Sequence, residues 1–414
     1  VNDPAVPDVV DEVPGLDPFE PGFFDDPYDQ YARIREHRPI VKSSLGPWLV
    51  TRWEDVHTIL RRPGMSVEDR NISAPTRRER MAEIVGDDRA GRRSRAILNI
   101  DPPDHTRIRR LVSRAFTPRA VERIRARTAA LTDAILDDLA GRDGPVDLVA
   151  ELAFPLPFSV ISEMLGMPEG DRDQLRAWSH TVTQVLDPIL AYEHAVEIVE
   201  ASERMRDVVV DAIARKRGRE DDDLLTALIR AEEDGDVLTD EELVENVVLL
   251  YLAGHETTVN LIGNGVCALL AHRDQLDRLV ADPSLDANAV EELLRYDSPV
   301  QFSRRIATEP FAHEDVTIEA GELVMTCLGA ANRDPRKFGE DADDLDLGRE
   351  TAREHVSFGS GVHHCLGAAL ARLEGQEVIG RLVRRFPGIE LAEPARVNGR
   401  IVLRGRDELL VSLA

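Results

Sequence analysis

SFGSGVHHCLGAALARLEGQEVIGRLVRRF, residues 357–386, sets a cysteine immediately before a helix-forming run. Gly359, Gly361 and Gly367 surround Cys365 and permit a tight, closely approaching backbone. The start of the following helix offers free N–H groups and a positive dipole end, and both favour a thiolate. A thiolate buried without a partner is prohibitively costly, and a metal ion removes that cost. The ordinary fate of a free Cys is burial as a small core residue. Only the surrounding pattern argues against it here.

A second informative stretch lies upstream. Thr239 and Glu242 form a capping box, which predicts a helix over 239–272. Its middle is apolar nearly all round, so it is expected to be buried. At 3.6 residues per turn, Asn246, Leu249, Ala253, Glu256, Thr257 and Asn260 share one face. An acid and a hydroxyl inside a buried helix need a reason. The plain alternatives are a surface stripe, or Thr257 bonding back to the carbonyl of Ala253.

Outward from these two stretches, helical patterns dominate: 27–38, 52–62, 104–140, 157–165, 190–217, 239–272, 288–297 and 366–386. Strand-like pieces are short, at Gly46–Thr51, Val316–Ile318 with Leu323–Cys327, and Val397–Leu413. Ala320-Gly321 and Asn398-Gly399 read as turns between such pieces. Strands and helices do not alternate regularly, which argues against a doubly wound sheet. The expectation is one mainly α domain over residues 1–414 with small antiparallel β-sheets, and an extended amino-terminal arm at 1–25.

Composition narrows the class. No stretch of the 414 residues approaches the ~20 apolar residues that cross a bilayer. The acidic, Pro-rich start lacks a secretory pattern, so a cytoplasmic protein is expected. Cys267, Cys327 and Cys365 are too few and scattered for a disulfide framework or a structural zinc site. A formal net charge of -26 disfavours nucleic acid and anionic membranes as partners.

The Cys loop resembles the haem-binding loop of the cytochrome P-450 family, F-x-x-G-x-x-x-C-x-G, with Phe358, Gly361, Cys365 and Gly367 in place. Ala253 to Thr258, AGHETT, is similar to that family's oxygen-activating motif. Glu292 and Arg295 match its ExxR pair, with Arg349 as the partner and Asn332 to Phe338 as a further likeness. His105 and Arg109 in DPPDHTRIRR, Arg305 beside Arg304, and His363 match its haem-propionate clamps. The motifs follow in family order from about Asp101 to Arg372, and the resemblance is to soluble bacterial members.

The resemblance implies a cytochrome P-450 fold, with haem b buried between the central long helix and the Cys-loop helix. Cys365 is then the axial iron ligand, pushing electron density toward O–O cleavage. Phe358 shields the sulfur, and Ala253 and Gly254 keep the central helix slim beside haem and oxygen. Thr257 and Glu256 become the catalytic hydroxyl and proton relay. The implied function is a monooxygenase that uses molecular oxygen to hydroxylate or epoxidise an apolar organic substrate. Electrons come from NAD(P)H through a separate ferredoxin or flavodoxin with its reductase. Arg107, Arg110, Arg114, Arg119 and Arg372 are the expected docking cations. Leu98, Leu249, Val300, Phe302 and Ile401 are the expected pocket residues, with Met81, Ile84, Val85, Ile97 and Leu186 beside them. A monomer is expected. The alternatives are a non-catalytic haem-thiolate sensor or carrier, and an unrelated helical protein with a structural Cys.

Overall fold

The computed structural model describes residues 15–43, 46–73, 83–86, 94–167, 172–233, 235–313 and 316–413. Its axis is the central helix, Asp240–Ala271, 32 residues and about 48 Å long. The capping box starts it: Thr239 Oγ1 accepts from Glu242 N at 3.3 Å, and Glu242 Oε2 accepts from Thr239 N at 3.0 Å. Val259, Ile262, Val266 and Leu269 join Leu370, Leu373, Val378 and Ile379 of the helix Ala368–Arg385 in the main core. Small residues let these helices approach. A Cβ on Gly265 would stand 3.2 Å from both Ile379 and Leu293, the latter on the helix Asp286–Tyr296.

The helix expected over 104–140 is two, Asp104–Ala115 and Pro118–Ala140. Pro118 drives its predecessor Thr117 to ψ 155°, and Thr117 Oγ1 caps the second helix from Ala120 N at 3.1 Å. The expected 190–217 helix likewise parts into Leu190–Glu193 and Ala195–Lys216. Two helices of functional or packing weight escaped the periodicity reading, Arg172–Thr183 and Arg273–Ala281.

The sheets are small. The largest runs Ile40–Lys42, Trp48–Val50, Leu323–Cys327, Phe302–Ala307, Met65–Ser66. All its pairings are antiparallel except Trp48–Val50 with Leu323–Cys327, which is parallel, a departure from the expected all-antiparallel pattern. Val316–Ile318 does not fold back on Leu323–Cys327. It pairs with Phe311–His313, and the Ala320-Gly321 turn hands the chain on to the larger sheet. The arm is not extended from Gly15 onward. It turns so that Leu16 and Phe23 pack with Tyr31, while Arg404 binds the carbonyls of Phe24 and Asp25 at 2.6 and 2.7 Å. Among the described residues no helix is long and apolar enough to cross a membrane.

Candidate active site

Cys365 N donates to Phe358 O at 2.9 Å, which closes the loop ahead of the Ala368–Arg385 helix. Gly359 and Gly361 take φ of +68° and +72°, the left-handed region that glycine enters freely. A Cβ on Gly361 would lie 2.6 Å from the Leu60 carbonyl oxygen, so the loop is pressed against the end of the helix Trp53–Arg61. Burial pushes the Cys365 thiol up, while the N–H groups of Gly367 and Ala368, then Arg109 and Arg372, pull it down. Those donors are placed to share a sulfur's negative charge once a metal displaces the proton. Gly367 has an ordinary φ of −82°, and a Cβ there would meet the sulfur at 3.9 Å. Its small size, more than its conformational freedom, suits the position.

Phe358 is half-buried against Leu261, Val290 and Leu294, with the Arg372 guanidinium 4.5 Å above its ring. Arg372 is held in turn by Glu291 at 2.8 and 3.1 Å, and His355 reaches the same carboxylate at 3.1 Å. Burial pushes Glu291 up, but His355 and Arg372 win and hold it at about 2.

Four cationic or donor side chains meet without an ion pair to any carboxylate among the described residues, Asp101 acting on His105 and Arg305 only at a distance. The His105 and His363 rings lie 4.3 Å apart, and Arg109 donates to the His364 carbonyl. Among the described residues the Arg305 guanidinium is bonded only to Ser303 Oγ and the Arg304 carbonyl, at 2.9 and 2.7 Å. Both nitrogens of the buried His105 ring lack a hydrogen-bond partner among the described residues. Burial, then Arg109, lowers His105 to about 4. Burial, then His105, Arg305 and Arg109, lowers His363 to about 3. Burial lowers Arg305 to about 10. A cluster so starved of negative charge, with orphaned buried donors, fits a ligand carrying carboxylates. The residues present therefore fit haem, with Cys365 for the iron and this cluster for the propionates. Arg304 is turned away, onto Asp69 and the Val67 carbonyl.

Glu292 and Arg295 are fully buried and paired at 2.7 and 2.8 Å, and Arg349 Nε joins at 3.2 Å. Arg295 also donates to the carbonyls of Asn332, Ala342 and Asp344, and Arg349 to those of Phe338 and Asp341. Two turns of irregular chain are thereby tied to one helix face. Asn332 Nδ2 reaches Ser298 and Ser357, both at 2.7 Å, which carries the tie to the start of the Cys loop.

On the central helix, Thr257 Oγ1 donates to the Ala253 carbonyl at 3.1 Å, the back-bond that the sequence left open. Ala253 is exposed and Thr257 half-buried, whereas His255 and Thr258 are buried, so the first two define the open face. Gly254 faces elsewhere. A Cβ on it would strike Ile161 at 2.7 Å, so it serves packing against the helix Pro155–Leu165 and does not thin the helix beside a haem. Glu256 Oε1 is 3.4 Å from Arg400 Nη1 and 3.9 Å from His180 Nδ1. His255 donates or accepts at Ser179 Oγ, 2.6 Å away. Asn246 accepts from Ile97 N at 3.0 Å and so ties the 94–100 loop to the helix. Glu374 was missed by sequence: it is fully buried, pushed well up by burial, with Thr258 beside it.

A sequence model of the cytochrome P-450 family matches residues 50–282 and 283–395. The chain is 44% identical over 416 residues to cytochrome P-450 107B1 of Saccharopolyspora erythraea, covering 97% of this chain and 98% of that one. It is 44% identical over 381 residues to a vitamin D(3) 25-hydroxylase of Pseudonocardia autotrophica, covering 91% and 90%. The structure of P-450BioI in complex with a hexadec-9Z-enoic acid ligated acyl carrier protein superposes with a TM-score of 0.86. That chain is 35% identical, with 95% of this chain and 99% of that one covered. The chain belongs to the cytochrome P-450 family, and it is a haem-thiolate monooxygenase.

The expected pocket residues divide. Phe302 and Ile401 are 3% and 4% exposed and pack into the Tyr31 cluster, and Ile97 belongs to the main core. Leu249 is half-buried against the main core, and Val300 pairs with Leu403 in an isolated bridge. Leu98, Ile84 and Leu186 are exposed, and Val85 is half-buried. Met81 lies outside the described residues. The docking cations divide as well. Arg107 is consumed by Asp236 and Glu242, and Arg372 by Glu291, which removes both from a free basic face. Arg119 is exposed.

Proposed function

We propose that this monooxygenase hydroxylates or epoxidises a bulky apolar substrate, using haem b and electrons relayed from NAD(P)H by a ferredoxin or flavodoxin. Bound haem supplies the iron at which oxygen is activated. Cys365 holds that iron, with the Gly367 and Ala368 N–H groups steadying the sulfur. His105, Arg109, Arg305 and His363 receive the propionates. Thr257 keeps its hydroxyl on the open face through the bond to Ala253, with lone pairs free to accept. Glu256, the next residue, carries the proton, and Arg400 positions its carboxylate.

The observation that carries this reading is the side-by-side placement of a hydroxyl on the open face and an acid tethered by a buried arginine. A carrier or sensor has no use for such a pair. The exposed apolar side chains Ile84, Leu98, Leu186 and Ile189, on the segments that the family resemblance assigns to the pocket, support a hydrophobic substrate, as does the hydroxylase name of one relative. Three free cysteines support a reducing, cytoplasmic setting.

The test is a reduced, carbon-monoxide-bound difference spectrum of the haem-loaded protein. Wild type is expected to give the strongly red-shifted band of thiolate ligation, and Cys365→Ala to lose it. An unshifted band in folded wild type refutes Cys365 as the ligand. No substrate-dependent NAD(P)H use and no product across apolar substrates, with redox proteins added, favours the sensor.

A further inference from the structure

A polar cavity of about 90 Å³ lies against Glu256, lined by Arg176, His180, Asn260, Asn398 and Asp407 among others. It has room for water and polar partners to hold it. Two buried donors on its wall, Asn260 Nδ2 and Arg406 Nε, have no hydrogen-bond partner among the described residues. His180 on this wall reaches solvent, its side chain 48% exposed, as does Asp407.

The hydrogen bonds fix which nitrogen of His180 faces inward. Arg400 Nη2 donates to His180 Nε2 at 2.9 Å and to the His180 carbonyl at 3.1 Å. Arginine has no acceptor, so Nε2 is unprotonated and the neutral ring carries its proton on Nδ1. That nitrogen stands 3.9 Å from Glu256 Oε1. Arg400 Nη1 meanwhile spans Glu256 Oε1 at 3.4 Å and Thr183 Oγ1 at 2.9 Å, so one buried guanidinium orients both groups.

We propose that His180 is the proton entrance to Glu256, a reading that rests on Glu256 being the proton carrier of the oxygen reaction. A proton from solvent binds Nε2 and gives an imidazolium. This ring has no lone pair for Arg400, so the Arg400 hydrogen bond breaks and the two cations repel. The Nδ1 proton then passes through one water of the cavity to Glu256 Oε1, 3.9 Å away, and leaves a neutral ring protonated on Nε2. That ring loses the Nε2 proton to solvent and regains one on Nδ1 from a cavity water, which solvent in turn reprotonates. The net change is one proton moved from solvent to the carboxylate. The groups facing His180 set its poise: burial, Arg400 and Arg176 oppose protonation, while Glu256 and Asp407 favour it.

The test compares His180→Ala, His180→Gln and Glu256→Gln in the haem-loaded enzyme with its redox proteins. A direct general acid is worth 10²–10⁴, so losing its supply is expected to slow product formation about tenfold or more in both His180 variants. His180→Gln keeps an acceptor for Arg400, so slowing there separates proton passage from positioning. Added imidazole is expected to rescue His180→Ala, and the solvent deuterium isotope effect to rise in both variants. A readout independent of turnover is the NMR titration of the His180 ring. Its pKa is expected to fall by roughly one unit in Glu256→Gln, where a charge about 4 Å away is removed. If Glu256→Gln is slow but His180→Ala and His180→Gln match wild type, the entrance is refuted and Glu256 stands. If His180→Ala is slow without imidazole rescue and His180→Gln is normal, His180 only positions Arg400, and the entrance is again refuted. If Glu256→Gln turns over like wild type, Glu256 is not the carrier and the underlying reading falls.

Discussion

Glu292→Gln isolates what the buried ion triad contributes. The carboxylate has no exposed surface and accepts four donors: Arg295 Nε at 2.7 Å, Arg295 Nη2 at 2.8 Å, Arg349 Nε at 3.2 Å and the Asp346 N–H at 3.0 Å. Glutamine keeps the volume but is neutral, and its amide turns a donor toward a guanidinium. Arg349 retains the exposed Asp341 carboxylate at 3.1 Å, whereas Glu292 is the sole carboxylate paired with Arg295 among the described residues. Breaking a buried pair from one side costs about 3–5 kcal/mol. Unfolding entropy of about 2.1 cal/mol/K per residue over 414 residues gives ~0.9 kcal/mol/K. The melting temperature of the haem-loaded protein is therefore expected to drop by about 3–6 °C. Arg349→Lys keeps the charge and loses the guanidinium fork onto two carbonyls, so about 1–2 °C is expected there. Calorimetry at matched haem content reads both. A Glu292→Gln protein melting within 1 °C of wild type, or one more stable than Arg349→Lys, refutes the assignment of the triad as the anchor of the irregular segment.

Two glycines of the Cys loop are expected to part company. Gly361→Ala adds about 1–2 kcal/mol for its left-handed backbone and drives a Cβ onto the Leu60 carbonyl, so haem bound per protein should fall. Gly367→Ala meets only ordinary contact at 3.9 Å and should retain its haem; haem content by absorbance tells them apart. The Arg372–Glu291–His355 contact should be acid-sensitive. Glu291 is held at about 2, below its ordinary 4.5, so its contribution is present above pH 4.5 and is lost as pH falls toward 2. Urea unfolding should accordingly show Arg372→Gln less stable than wild type at pH 6, with the gap narrowing to about half or less at pH 3. A constant gap refutes the coupling.

Legibility in the sequence followed the length over which an interaction is encoded. The capping box at Thr239 and Glu242, the Glu292–Arg295 pair and the ten-residue Cys loop are local patterns, and each has the geometry its spacing implied. The Arg349 partner came from resemblance alone and does reach Glu292. The break at Thr117-Pro118 was equally local and was overrun by helical periodicity on both sides. Arg172–Thr183 was missed because its large apolar residues are only Leu175, Trp178 and Val182, too sparse a stripe to stand out.

The tight packing of Phe302 and Ile401 has a physical cause that no local pattern carries. Phe302 and Ile401 are apolar residues of segments that pass near a cavity in related folds, and residue type cannot say which way a side chain points. Here Phe302 stands edge-on to Tyr31, with ring centroids 5.7 Å apart. The cluster it joins is supplied by Leu16, Phe23 and Tyr28, residues nearly three hundred positions away. The same limit hid the proton side of the site. Glu256 meets Arg400 across 144 positions, and Arg400 meets His180 across 220. No local period encodes such a meeting. Yet these long contacts decide how the legible residues work. AGHETT supplies an acid and a hydroxyl on a helix, and Arg400 turns that acid toward His180 and solvent while Ala253 holds the hydroxyl on the open face. The motif fixes the chemistry available, and the distant arginine gives it a direction.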